Sequence, residues 1–220
     1  MDLDFSIVWG YAPTLLQGLA LTLGVTAACA LAGSLLGFAL SLARSSGVAA
    51  LSAPVTLYVE FFRGTPLLIQ LFWVYFCFPI VLGLKMPAVV AVMVSLTLYM
   101  GAITCETFRG SLKSIGAEQH DACVALGLPV WTRVVWVIFP QALLRAIPPL
   151  LSNVVSLFKE SALISSVGVA DLMFVGQNLS NSTARPIEFL SAVGLIYFLV
   201  AFPVTRLVGS VEARLLRRFA

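Results

Sequence analysis

The chain has 220 residues, of which 60% are apolar and only 10% charged, and its mean hydropathy is +1.02. A water-soluble domain carries about 25% charged residues, so this composition excludes a soluble fold. The formal charge of +3 is modest, and the basic residues fall between apolar stretches instead of forming a stripe with stacking aromatics, which argues against a nucleic-acid partner.

The apolar stretches repeatedly exceed the roughly 20 residues that cross a bilayer as helix. The run from Leu15 to Ala43 lacks the two-residue alternation of a membrane β-strand. An all-α integral membrane protein follows, with residues 1–220 as a single transmembrane domain. The segment before Cys29 carries Asp2 and Asp4 and no Lys or Arg, so it does not read as a signal peptide.

In chain order, spanning helices are expected at about Thr14 to Ala43, Pro54 to Leu82, Pro87 to Phe108, Pro149 to Val169 and Ile187 to Val211. The first contains Gly33-x-x-x-Gly37, a spacing that lets another helix backbone approach closely; packing within the chain is the expected use. In the second, Arg63-Gly64-Thr65-Pro66 interrupts the helix, because proline removes a backbone donor and glycine tolerates unusual dihedrals. Unwound backbone at membrane depth must lie against protein or water, so this break is expected to border a pathway or gate. Gln70, about one turn on, suits a zwitterion or a neighbouring helix. Phe72, Trp73, Tyr75, Phe76 and Phe78 are expected as an interfacial belt.

Lys and Arg mark cytoplasmic segments. Arg44, Arg109, Lys113, Arg133, Arg145, Arg206, Arg214, Arg217 and Arg218 fall on one side of the five spans, and only Lys85 and Arg185 on the other. The N-terminus is therefore expected outside and the C-terminus in the cytoplasm. Glu106 and Arg109, three residues apart near the end of the third span, are expected to pair.

The cytoplasmic loop of about residues 109–148 is the long connection between spans, and it reads as folded. Ala122, Ala125 and Leu126 share one face of a short helix that Gly127 can end, with Pro129 beyond. Trp131, Val134, Val135 and Ile138 repeat as a second amphipathic helix would. Such a pair reads as a docking element for a partner with a groove.

The four cysteines, Cys29, Cys77, Cys105 and Cys123, have no metal-ligand spacing. His120, the only histidine, has no catalytic company in sequence and is expected to face solvent. No paired acids, His-metal set or activated serine stands out, so an enzyme is not expected. The segment Gln119-x-Asp121-Ala122-Cys123-x-Ala125-Leu126-Gly127, followed by Ile138-Phe139-Pro140-Gln141-Ala142, resembles the cytoplasmic EAA-type loop of ABC importer permeases. Asp121, Cys123 and Phe139 stand where that family usually has Glu, Ala and Leu. Three further segments resemble its polar amino acid branch: Phe62 to Leu71, Glu106-x-x-Arg109-Gly110, and Lys159-Glu160-Ser161-Ala162-Leu163 followed by Gly168-Val169-Ala170-Asp171-Leu172. Glu160 and Ala162 depart from the usual pattern of the branch.

The resemblance implies an importer of two permease subunits, identical or paralogous, two cytoplasmic ATPase subunits and an external solute-binding protein, in the bacterial inner membrane. The chain has no nucleotide-binding Gly-x-x-x-x-Gly-Lys-Ser/Thr loop, so ATP and magnesium are expected on the ATPase subunits and no cofactor or metal on this one. Gln119, Asp121, Ala122, Cys123, Ala125, Leu126 and Gly127 are the expected coupling residues. Arg63, Thr65, Pro66, Gln70, Lys159, Glu160 and Ser161 are the candidate pathway residues. Lys159 and Glu160 would cost about 2.5 to 3.5 kcal/mol each at mid-membrane unless partnered or hydrated. Either they make structural contacts, or Lys159 attracts a substrate carboxylate and Glu160 its ammonium. The alternatives are a related small zwitterion, such as an opine or osmolyte, and an ion-coupled secondary transporter, which the missing inverted repeat and the small number of spans disfavour.

Overall fold

A computed structural model describes residues 3–83 and 85–219, with side chains as far as Leu215. Asp2 and the side chains of Arg217 and Arg218 lie outside the described residues. The helices are α1 (Ser6–Gly10), α2 (Ala12–Ser45), α3 (Ala49–Gly64), α4 (Leu67–Phe72), α5 (Phe78–Leu82), α6 (Ala88–Lys113), α7 (Ala117–Ala125), α8 (Val130–Thr132), α9 (Phe139–Glu160), α10 (Leu172–Thr183) and α11 (Pro186–Phe219). π-Helical turns at Trp73–Cys77 and Arg133–Ile138 join α4 to α5 and α8 to α9, and a 3-10 segment, Ser161–Val167, follows α9. There is no strand among the described residues.

Four helical stretches are long and apolar enough to cross a membrane: Ala12–Ser45, Ala88–Lys113, Val130–Val167 and Pro186–Leu215. A fifth forms if the pair Ala49–Gly64 and Leu67–Leu82, bent by 108°, counts as one span. The expected five-helix organisation is present, with two differences. The second span is not a kinked rod, because α3 turns sharply away from α4. It buries Val55 and Val59 against Cys105 and exposes Leu57 and Phe61. The fourth span does not start at Pro149. The helix begun at Val130 runs on through Pro148 and Pro149, so the expected second loop helix is the first part of the span itself.

α6 is the central helix and packs against α2, α3, α4 and α9. Small residues make the α2–α6 approach close. A Cβ on Gly33 would lie 2.6 Å from the Met100 Cβ, and one on Gly37 would lie 2.6 Å from the Gly101 carbonyl and 2.7 Å from the Cys105 amide. The Gly33/Gly37 spacing is thus used for packing within the chain. Around it lies the main core, with Val25, Cys29, Leu67, Leu71, Leu96 and Ile164 among its members. All four cysteines are free, and only Cys77 is exposed.

At the other end of the fold α10 docks on α2. Asp171 caps α10, accepting from the Phe174 amide at 2.9 Å, while the Leu172 amide donates to the Thr22 hydroxyl at 3.0 Å. Gly18 makes room: a Cβ there would sit 3.0 Å from the Leu172 Cα.

Candidate translocation path and coupling surface

One face of α9 is polar, which is unusual for a spanning helix. Ala142, Ala146, Val155, Leu157 and Phe158 turn inward, while Ser152, Ser156 and Lys159 are exposed and Asn153 and Glu160 half-buried beside them. Steps of three and four residues place these five on one side over two turns. Facing lipid, such a stripe would leave hydroxyls and a charge unsolvated, so this face suits water or another polar chain. Asn153 donates to the Thr107 hydroxyl of α6 at 2.9 Å, and Tyr99, also on α6, donates to Glu160 Oε1 at 2.9 Å. Glu160 Oε2 is buried with no partner among the described residues. A cavity of about 550 Å³ opens at the Ser152 end, lined also by Ser111, Ser114, Arg145, Asn153 and Glu212. Ser161 is not on the stripe. It is buried at the helix end and donates to the Phe158 carbonyl at 2.7 Å.

The break in the second span has its own closure. Thr65 and Pro66 are extended, which ends α3 at Gly64 and restarts the helix at Leu67. Gln70 fills the gap. Its buried amide donates to the Phe62 carbonyl at 2.8 Å, the Thr65 carbonyl at 3.0 Å and the Thr65 hydroxyl at 2.8 Å, satisfying acceptors that the missing turn frees. α4 packs against the Ser161–Val167 segment, and Leu67, Leu71 and Ile164 share one core. The two groups of candidate pathway residues therefore stand on adjoining elements.

Arg63 turns away from the break toward Glu106. Arg44 donates to Glu106 Oε2 at 2.7 Å, Arg109 Nε donates to the same oxygen at 2.9 Å and its Nη2 pairs with Oε1, and Arg63 lies 3.9 Å away. The expected Glu106–Arg109 pair is thus part of a cluster of three arginines on the ends of α2, α3 and α6.

α7 forms the expected short helix. It ends in a Schellman turn: Gly127 has φ +67°, its amide donates to the Val124 carbonyl at 2.9 Å, and the Leu128 amide reaches the Cys123 carbonyl at 3.0 Å. Gln119, His120, Asp121, Ala122, Ala125 and Leu126 are exposed, Leu126 by 76%. Cys123 alone is buried and anchors the helix. Gln141 donates to Gln119 at 3.3 Å, linking α7 to the start of α9.

Sequence reading missed Ser152, Asn153, Ser156, Tyr99 and Thr107. The serine and asparagine spacing was visible, whereas the Tyr99 and Thr107 contacts are between helices and leave no local pattern.

Residues 31–217 match the family of the binding-protein-dependent transport system inner membrane component. The arginine transport system permease protein ArtQ of Bacillus subtilis (strain 168) is 34% identical over 98% of each chain. The glutamine transport system permease protein GlnP of Escherichia coli (strain K12) is 30% identical over 98% of this chain and 99% of that one. A crystal structure of an amino acid ABC transporter with histidines superposes with a TM-score of 0.93 at 29% identity, covering 97% of this chain and all of that one. With 187 of its residues inside the family match, this chain belongs to the inner-membrane permease components of binding-protein-dependent ABC transport systems.

Proposed function

We propose that this chain forms the translocation path of an ATP-driven importer for a polar amino acid. The observation that carries this is the polar face of α9, from Ser152 to Lys159, on a helix whose other faces are apolar. The names of the arginine and glutamine relatives support an amino acid as cargo. A second permease chain, the same or a paralogue, would cover that face and complete a water-lined cavity. Lys159, exposed on the stripe, suits a carboxylate, and Glu160 beside it an ammonium.

Two cytoplasmic ATPases that bind ATP and magnesium would grip the exposed side of α7, including Asp121, Ala122, Ala125 and Leu126. The continuous helix from Val130 carries that movement into α9 without an intervening flexible loop. The opposite end, around α10 and the α1–α2 junction, would receive a solute-binding protein. This orientation follows from the basic residues on the α7 side and sets the N-terminus outside the inner membrane.

The test is ATP hydrolysis and uptake in liposomes holding this chain, its ATPase and its binding protein, screened across the amino acids. Stimulation by one chemical group is expected. A verified, assembled complex that responds to none of them overturns the amino acid assignment.

A further inference from the structure

The cavity of about 550 Å³ at the Ser152 end of α9 brings opposite charges to one polar space. Arg145 of α9 and Glu212 of α11 both line it, together with the side chains of Thr107, Ser114, Ser152 and Asn153. Arg145 donates to the Ser114 carbonyl, which fixes its guanidinium in the wall. Glu212 is exposed and makes no ion pair among the described residues. Pro148 and Pro149, also in the lining, lack the amides that would bond the Leu144 and Arg145 carbonyls, so this stretch of helix offers further acceptors. Arg145 stands about 21 Å along α9 from Lys159, and the two charged groups of the cavity are therefore separate from the Lys159–Glu160 pair.

We propose that this cavity is a second binding site for a zwitterionic α-amino acid, filled from the cytoplasm, through which the internal pool slows import. Arg145 takes the carboxylate, since a guanidinium presents paired donors that match its two oxygens, and Glu212 with the freed carbonyls takes the ammonium. The volume lies within the roughly 300 to 1,000 Å³ of small-molecule sites. Because Arg145 is on α9 and Glu212 on α11, a ligand held by both binds one arrangement of the two helices and shifts the population toward it. The cargo and the cytoplasmic position of this end rest on the transport reading above; the binding site rests on the cavity.

The test uses the assembled transporter in nanodiscs, without nucleotide or binding protein, and equilibrium dialysis against each radiolabelled proteinogenic amino acid in turn. Binding is expected, with competition by the same unlabelled amino acid but not by its N-acetyl derivative or its decarboxylated amine. Glu212→Gln should weaken it roughly tenfold or more, as loss of a charge-assisted bond does, while Glu160→Gln leaves this site filled. No binding overturns the proposal, as does binding that survives Glu212→Gln and is lost in Glu160→Gln. Equal competition by either derivative overturns the zwitterion assignment. In liposomes with ATP inside, loading the lumen with the bound amino acid should slow uptake about fivefold or more in the parent and much less in Glu212→Gln, each rate taken relative to the same protein with no amino acid in the lumen. Equal slowing of both proteins overturns the regulatory role. If neither takes up any amino acid, the transport reading fails while the dialysis still decides the site.

Discussion

Tyr99 donates its hydroxyl to Glu160 Oε1 at 2.9 Å and so ties the middle of α6 to the last turn of α9. This bond lets a structural role for Glu160 be separated from a transport role. Tyr99→Phe removes a donor from a partly buried carboxyl and is expected to cost about 1 to 3 kcal/mol of stability, read as a lower melting temperature in detergent. Glu160→Gln can accept the same bond through its amide oxygen, so its melting temperature should stay near the parent's while uptake falls at least several-fold. If Glu160→Gln transports normally, the residue is a structural anchor and takes no part in the path.

The polar face of α9 makes a second prediction. Ser156 is exposed there and makes no hydrogen bond to another helix among the described residues. Ser156→Leu should leave folding and the melting temperature within about 0.5 kcal/mol of the parent, as for substitutions away from packed features, yet depress uptake by narrowing and drying the path. Leu143→Ser, on an exposed apolar position of the same helix, is the control and should not reduce uptake. Equal transport by Ser156→Leu and the parent would place the path elsewhere.

The close approach of α2 and α6 can be tested with a matched pair of glycines. A Cβ on Gly37 would meet backbone atoms of Gly101 and Cys105 at 2.6 and 2.7 Å, whereas nothing lies within 4 Å of one on Gly24 in the same helix. Gly37→Ala should destabilise by about 1 to 3 kcal/mol through overpacking, and Gly24→Ala should be neutral or slightly stabilising. Thermal unfolding of both variants in one detergent is the measurement. Equal melting temperatures would mean that the helices can separate without cost.

Gly127 has a conformational role instead of a packing one: nothing lies within 4 Å of its Cβ position, but its φ is +67°. Gly127→Ala is expected to cost about 1 kcal/mol at the end of α7, with Gly127→Asn milder because Asn tolerates this region. Because α7 presents the exposed residues proposed to meet the ATPase, the readout is coupling: uptake per ATP hydrolysed should fall in the alanine variant and recover in the asparagine one. Unchanged coupling in both would argue against α7 as the lever.

What the sequence revealed was local. The break at Thr65–Pro66, the stop at Gly127 and the close-packing glycines follow from the backbone chemistry of proline and glycine, which acts within a few residues, and all three are found in the structure. The arginines are different. Arg109 is one turn from Glu106 and was found by spacing, but Arg44 and Arg63 reach it only because α2 and α3 end beside α6, and no periodicity encodes that arrangement. Pro148–Pro149 misled for a related reason. A proline is equally content at a helix start and inside a membrane helix whose neighbours supply other partners, so the beginning of the fourth span could not be fixed from the prolines alone.

Asp171, in the connection between the last two spans, offers a pH test. It is fully buried, and burial pushes its carboxyl up to about 6 against the opposing pull of the Phe174 amide, which favours the ionised form. An acid whose folded value is raised adds stability that is complete below its unfolded value near 4 and is lost as pH rises through 6. The full span of that change is about 3 kcal/mol. The parent should therefore melt higher at pH 4.5 than at pH 7.5 relative to Asp171→Asn, which keeps a capping oxygen but cannot ionise. Asp171→Ala should melt lower than the asparagine variant at both values, by about 1 kcal/mol, because it loses the cap of α10. If the parent and Asp171→Asn instead show the same pH dependence, the carboxyl is solvated in the folded protein and the α10 end of the bundle is more open to water than the Tyr197 hydroxyl, 3.5 Å from Asp171 Oδ2, and the packing of Thr22 and Leu172 imply.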